Sequence, residues 1–567
     1  MNTTMLSARH LDLDKHQKLN REDSEMVMNR LTKSFLFLTM LVLSLVLMNG
    51  CSKDSTSTSK PEKASEPQSG GTVTIASMQE PDTLDVHKTA MSIAGLITSH
   101  IGGTLLAIDP ETNDLEPYLA EKYSVSEDGK TITFTLRQGV TFSDGTPLTA
   151  QVFKETFDRI LNPDTGATVA ASLVAGIQST SAPDDQTFVI ELAAPSAPFL
   201  RNLASQGYLQ PVSLAAIEKQ GDDYGRNPIG TGPFFFKEWV TGQSITLERN
   251  KDFNWPKAFT ENQGKAYPDQ MVYKFIADEQ TMLAALDSGS IDVAMNVSPK
   301  NVQKYRNNPN YYVLEAERQG LGLFLEMNLE DKVLSDLNVR KAINMAINKD
   351  AIIKAVLSGE GTPAFGPIPA TIFGYDSKVE NYGHKLNKDE AVSLLESSGY
   401  TKNSNGMMEK GGKELAFELS IMAQHNQAGQ MVQAMLKEVG INVNIQSMEA
   451  GTLIEKVSQG EYDLSFLAYS YADPDILSLL FHSSQIGGLN HVRVKNPELD
   501  GLLDKGRTTI DPEERKQVYA RIQEIIVENA YWAPIYAEKV FYVVNKRIQN
   551  VKLEGVTIEF HDSWVQR

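Results

Sequence analysis

The chain has 567 residues, 41% of them apolar, a formal net charge of −19 and a single cysteine. So acidic a composition argues against nucleic acid or anionic lipid headgroups as partners, and one cysteine excludes an internal disulfide or a cysteine-based zinc site. The length exceeds what one ordinary core holds and predicts two or more lobes.

The first 25 residues are polar and of mixed charge. Residues 34–51, SFLFLTMLVLSLVLMNGC, are the strongest apolar run, and Arg30 and Lys33 stand just ahead of it. A basic n-region followed by an apolar h-region is the plan of a secretory signal, and the run is shorter than the ~20 residues that comfortably span a bilayer. Translation from Met26 or Met28 would give a signal of conventional length. Residues 1–50 are therefore set aside as a signal region. Asn49-Gly50-Cys51 resembles a bacterial lipobox, which implies that Cys51 carries lipid, becomes the mature N-terminus and anchors everything after it outside the cytoplasm by acyl chains. From Cys51 onward there are 47 basic and 67 acidic residues, net −20. Residues 51–70 are rich in Ser, Thr, Lys, Glu and Pro and read as a disordered tether. The composition suggests the outer face of the cytoplasmic membrane in a Gram-positive cell; in a Gram-negative cell the same chain would be periplasmic.

GTVTIAS at 71–77 alternates as a first strand and stops at a loop, QEPDT at 79–83, with Asp85 and His87 just beyond. A helix is expected over 90–101. Asp128-Gly129 is a hairpin signal ahead of a strand in which Ile132, Phe134 and Leu136 share a face. Thr149 can cap a helix whose apolar face is Val152, Phe153, Phe157, Ile160 and Leu161.

LRQGVTFSDGTPLTA at 136–150 lies across this strand, turn and helix. Further along come GTGPF at 230–234, LERNKDFNW at 247–255, LNVRKAINMAI at 337–347, GEYD at 460–463, DPD at 473–475 and PIY at 534–536. In this order the motifs resemble family 5 of the extracytoplasmic solute-binding proteins, the substrate-binding lipoproteins of peptide and nickel ABC importers. The resemblance runs over 71–567. It implies a type II periplasmic-binding-protein-like α/β fold with two lobes and a ligand cleft between them. Lobe one would take 71–318 plus 535–567, with an added subdomain over 107–224, and lobe two 319–534. The chain would cross between lobes near 320–328 and 532–537. Arg137 and Arg340 read as anchors of turns and helix ends.

Residues 414–469 carry an independent signal. A strand (414–422), helix (427–439, with Met431, Ala434, Met435 and Leu436 apolar), strand (441–446), helix (451–458) and strand (462–469) make a β-α-β-α-β run, hence an open α/β lobe. Such sheets bind ligands beyond the carboxyl ends of their strands. Candidate ligand contacts in lobe two are Gln424, His425 and Asn426, and Tyr469, Ser470, Tyr471 and Asp473; lobe one offers Glu80, Asp82 and Thr83. Tyr469 and Tyr471 could cover apolar ligand parts.

Peptide binders of the family hold the ligand ammonium with an aspartate three residues before the Asp-Pro pair; Ser470 stands there here. Dipeptide binders hold the carboxylate with an arginine ahead of the 427–439 helix; Asn426 or Gln427 stands there. A dipeptide specificity is disfavoured, leaving a longer peptide gripped through its backbone, or a nickel or other metal chelate touching His425 and Tyr471. No protein-held metal site, cofactor or catalytic residue is expected: there is no HExxH, GxSxG or dinucleotide fingerprint, which disfavours a secreted hydrolase. The expectation is a monomeric, membrane-anchored receptor that delivers peptide to an ABC permease and binds no nucleic acid.

Overall fold

The computed structural model describes residues 66–205 and 207–566. The signal, Cys51 and the tether up to residue 65 lie outside the described residues. The end of the expected tether is docked instead of free: the Gly70 N–H donates to the Tyr267 carbonyl at 2.7 Å and Arg249 donates to Ser69 Oγ at 2.6 Å.

One mixed sheet runs through both lobes. In lobe one, Thr72–Ser77 lies parallel between Gln270–Phe275 and Val293–Ala294, and the hairpin of Phe234–Val240 with Ser244–Arg249 extends the edge. In lobe two, Ala416–Met422 is parallel to both Asn442–Met448 and Leu464–Leu467, and Leu323–Met327 joins antiparallel to the latter. The helices Asn426–Glu438 and Ala450–Gln459 make the crossovers. On the first of these the buried stripe is Ala428, Val432 and Leu436, the four-residue spacing of one helix face, while Ala434 is exposed and Met431 and Met435 flank the stripe.

The strand Trp532–Asn545 belongs to both halves. Trp532–Tyr536 pairs with Leu323–Phe324 and their neighbours, Tyr536–Glu538 pairs with Gly361–Pro363, and from Lys539 onward the partner is Tyr311–Glu317. The exchange of partners therefore falls between Glu538 and Lys539. The chain makes its other passage between Tyr311–Glu317 and Leu323–Met327.

Within 107–224 the strands Ala120–Val125, Thr131–Leu136, Thr187–Leu192 and Ile177–Ser181 form a separate antiparallel sheet. Ile132, Phe134 and Leu136 are buried in it, under the helix Ala150–Leu161. Thr149 Oγ1 caps that helix by accepting from the Val152 N–H. Phe153, Phe157 and Ile160 face inward but Leu161 is 40% exposed, because the helix ends there and its last residue points away from the sheet. The subdomain also touches lobe two: the Arg201 guanidinium stacks 4.9 Å over Phe373, and Ile510 packs on the subdomain core.

Candidate functional site

Two closely packed crossings join the lobes. The Leu321 N–H donates to the Tyr469 carbonyl at 2.7 Å. Gly320 has φ of 119°, and a Cβ there would stand 2.3 Å from the Tyr469 oxygen, so this passage requires glycine both for its backbone angle and for its approach. Beside it the Arg318 N–H donates to the Glu538 carbonyl and the two side chains pair at 3.1 Å. Arg306 of lobe one reaches Glu360, the residue ahead of Gly361–Pro363, at 2.5 Å, and Glu315 binds both Arg306 and Lys539. The passages are thus braced by ion pairs close to the point where the long strand changes partners.

The loops expected to face each other lie at the carboxyl ends of their strands, and most of their charged groups are already engaged. In lobe one, Glu80 accepts from Trp239 Nε1 at 2.8 Å and from the Gly242 N–H at 3.0 Å, which ties the loop to the edge hairpin. Asp82 is exposed but accepts from Thr89 Oγ1 at 2.7 Å and from the Thr83 N–H; Thr83 Oγ1 accepts from the Asp85 N–H. Behind them Arg159 binds Asp85 with two hydrogen bonds and His87 with a third. Burial, then the Arg159 charge, lowers the His87 pKa to about 4, so the ring is a neutral acceptor for that arginine.

In lobe two, Gln424 and Asn426 are exposed, and Asn426 opens the helix Asn426–Glu438. His425 is half-buried, edge-on to Phe466 at 6.4 Å; burial lowers its pKa against the opposing charge of Glu538. Ser470 is exposed and Tyr471 half-buried on a lobe-two core. Two of the expected contacts are used internally. The Tyr469 hydroxyl lies 2.6 Å from Glu326 Oε1 and 3.1 Å from His491 Nδ1, inside a buried Glu326–Tyr469–His491 cluster. Asp473 is engaged inside lobe two: it is 2% exposed and held by both terminal nitrogens of Arg515, at 2.9 and 2.6 Å. The physical reason is that a buried carboxylate needs a counter-charge, which the helix Pro512–Glu528 supplies from outside the loop. Asp475 precedes the helix Ile476–Phe481 but pairs with Arg507 at 3.1 Å and makes no cap bond to that helix's N–H groups. Arg340 is a carbonyl clamp, donating to Leu334, Ser335 and Asn529. Among the described residues, no group of three His, Cys, Asp or Glu is placed to hold a metal ion.

The family model for bacterial extracellular solute-binding proteins, family 5, matches residues 114–488. The chain belongs to this family. As a family 5 solute-binding protein it is a receptor, not an enzyme, and acts outside the cytoplasm. It is 27% identical over 545 residues to the oligopeptide-binding protein AppA of Bacillus subtilis, covering 93% of this chain and 96% of AppA. It is 30% identical over 504 residues to di/tripeptide-binding protein 4 of Pseudomonas aeruginosa, covering 84% and 91%. The solved structure of HbpA2 from Haemophilus parasuis superposes with a TM-score of 0.78 at 24% identity, covering 88% of this chain and all of that one. The chain shares the bilobed type II fold with that structure.

Sequence reasoning passed over Arg318, Glu538, Arg306 and Glu360, which brace the crossings of this family 5 protein. The available signal was weak: charged residues at strand ends next to the glycines of 320–322. Arg515 carried no local signal, because its partner Asp473 lies 42 positions away in sequence.

Proposed function

We propose that this receptor binds peptides between its lobes and hands them to an ABC-type import permease, as a single chain held at the membrane by lipid on Cys51. The observation that carries the ligand class is the chemistry of the lobe-two loops. Residues 423–427 and 468–472, AQHNQ and AYSYA, contain no Asp, Glu, Lys or Arg, and Gln424, Asn426, Gln427 and Ser470 are exposed. Amides and hydroxyls of this kind satisfy the donors and acceptors of a peptide backbone without selecting a side chain or a charged terminus. The names of the relatives, oligopeptide-binding and di/tripeptide-binding, agree with a peptide ligand. Gln424, His425, Asn426, Ser470 and Tyr471 are the lobe-two contacts; Asp82 and Thr83 are those of lobe one, with Glu80 setting their loop. Closure would turn about the passages at 318–322 and 537–539.

Isothermal titration with a tripeptide and a nonapeptide, each free and N-acetylated, tests this. Backbone-dominated binding predicts that acetylation changes affinity less than about threefold, whereas loss of a charge-assisted bond to the ammonium would cost about tenfold or more. A loss of about tenfold or more on acetylation of both peptides would overturn the reading.

A further inference from the structure

The lobes also meet away from the crossings, and the lobe-one side of that contact is Arg201. It lies on the short helix Ala197–Asn202 of the subdomain. Its guanidinium is aimed from within its own lobe: Nη1 donates to the Asn113 carbonyl at 3.0 Å and Nη2 to Asn113 Oδ1 at 2.6 Å. Asn113 stands in the turn between Leu106–Ile108 and Leu115–Pro117 at φ of 61°, a left-handed position that asparagine tolerates. The guanidinium so placed is 4.9 Å from the centre of the Phe373 ring of lobe two.

Lobe two prepares the other half. Phe373 is 5% exposed, and two cations of its own lobe also stand by the ring, Arg515 at 5.4 Å and Lys516 at 5.6 Å, both from the helix Pro512–Glu528. Asp473 fixes Arg515, and Lys516 pairs with Glu513 at 2.8 Å. The charge of Arg201 is answered across the lobes: burial lowers its pKa, and Asp473 is the largest opposing influence. Ile510, just ahead of the same helix, packs on the subdomain core beside the turn at Gly129, where an added Cβ would stand 3.6 Å from the isoleucine side chain. Each half of the contact is held in place by its own lobe. Rotation about the crossings must part residues that belong to different lobes.

We propose that Arg201 on Phe373, with Ile510 beside it, is a clasp that holds the lobes in the closed arrangement and sets how fast bound peptide is released. The clasp presupposes the reading given above, a receptor that opens about the crossings and holds peptide between its lobes. A guanidinium over a ring, largely out of water, is strong enough to bias a two-state equilibrium and weak enough to part when the receptor opens.

The test joins two measurements: small-angle X-ray scattering of the protein without added ligand, and stopped-flow release of a fluorescein-labelled nonapeptide. Wild type is compared with Arg201→Gln, Phe373→Leu, the double variant and Phe373→Tyr. Without the clasp the radius of gyration should rise, and peptide should leave about three- to tenfold faster. The double variant should match the single ones instead of adding to them, because both remove one contact. Phe373→Tyr keeps the ring and should behave as wild type. If Arg201→Gln does not fold, because the subdomain loses its hold on Asn113, Phe373→Leu and Ile510→Ala decide, and each should raise both quantities. An unchanged radius and release rate in the folded variants, or additive effects in the double variant, overturns the clasp. If wild type takes up no peptide, the receptor reading fails by itself and the radius of gyration alone decides the clasp.

Discussion

Replacing Asp473 by Asn separates a structural carboxylate from a ligand contact. The residue sits three positions after Ser470, in the loop that closes one side of the cleft, yet its carboxylate and the Arg515 guanidinium are each only 3% exposed. Arg515 also donates to the Gly506 carbonyl and stacks at 5.4 Å from Phe373 and 5.2 Å from Tyr519, so it cannot turn out to solvent. The amide removes one charge and leaves the other buried. Breaking such a pair costs about 3–5 kcal/mol. For a unit the size of lobe two, each kcal/mol moves the thermal midpoint by about 2–4 °C, so a fall of about 6–20 °C is expected. Differential scanning calorimetry reads this, and peptide titration below the transition should find affinity changed less than about threefold. The double variant Asp473→Leu with Arg515→Met, which removes both charges, should recover most of the loss. A tenfold loss of peptide affinity in Asp473→Asn with an unchanged midpoint would refute the assignment and return Asp473 to the ligand.

Other expectations follow from the same geometry. His87 and His100 are buried and neutral, with pKa values lowered to about 4 and about 3 chiefly by burial. Below pH 6.5 the unfolded chain takes up protons that the folded chain refuses, so the stability they contribute is complete above that pH and falls by about 1.4 kcal/mol per histidine per pH unit on acidification, down to the folded pKa. His100→Phe keeps a ring among Phe234, Tyr273 and Phe560 and should flatten that slope in urea melts at pH 7 and 5; an unchanged slope counts against a neutral His100. Gly320→Ala forces a side chain onto the Tyr469 carbonyl and should cost at least about 1–3 kcal/mol in a denaturant melt, with weaker peptide binding as well. Arg318→Ala breaks a pair that is 59% and 41% exposed; stability should shift by less than about 1 kcal/mol, while peptide affinity responds if the passage is a hinge. Ser470→Asp should raise the affinity of a free tripeptide over its N-acetyl form by about tenfold.

What could be read from the sequence was local. The strand Thr131–Leu136 announced itself by alternation, the helix Ala150–Leu161 by its threonine cap, and the order of elements from 416 to 467 by helical and strand periods in turn. Element ends were less legible: the helix expected over 90–101 spans Ser92–Ser99, because no side chain caps its start and backbone packing decides where it begins. The site was legible only as loops. Which polar groups remain available there depends on distant partners: Arg515 consumes Asp473, Glu326 and His491 consume the Tyr469 hydroxyl, and Trp239 consumes Glu80. Nothing near those residues in the sequence announces the pairing. In the long strand Trp532–Asn545 the apolar run is interrupted by Glu538 and Lys539, the two residues between which the partners change.

The most direct test of the central claim is native mass spectrometry of the protein purified without refolding. A peptide receptor with backbone-dominated grip should carry a set of added masses corresponding to many peptides, all released by denaturation. A single added mass containing a metal and lost to a chelator, or a bare chain that takes up no added peptide, would contradict it.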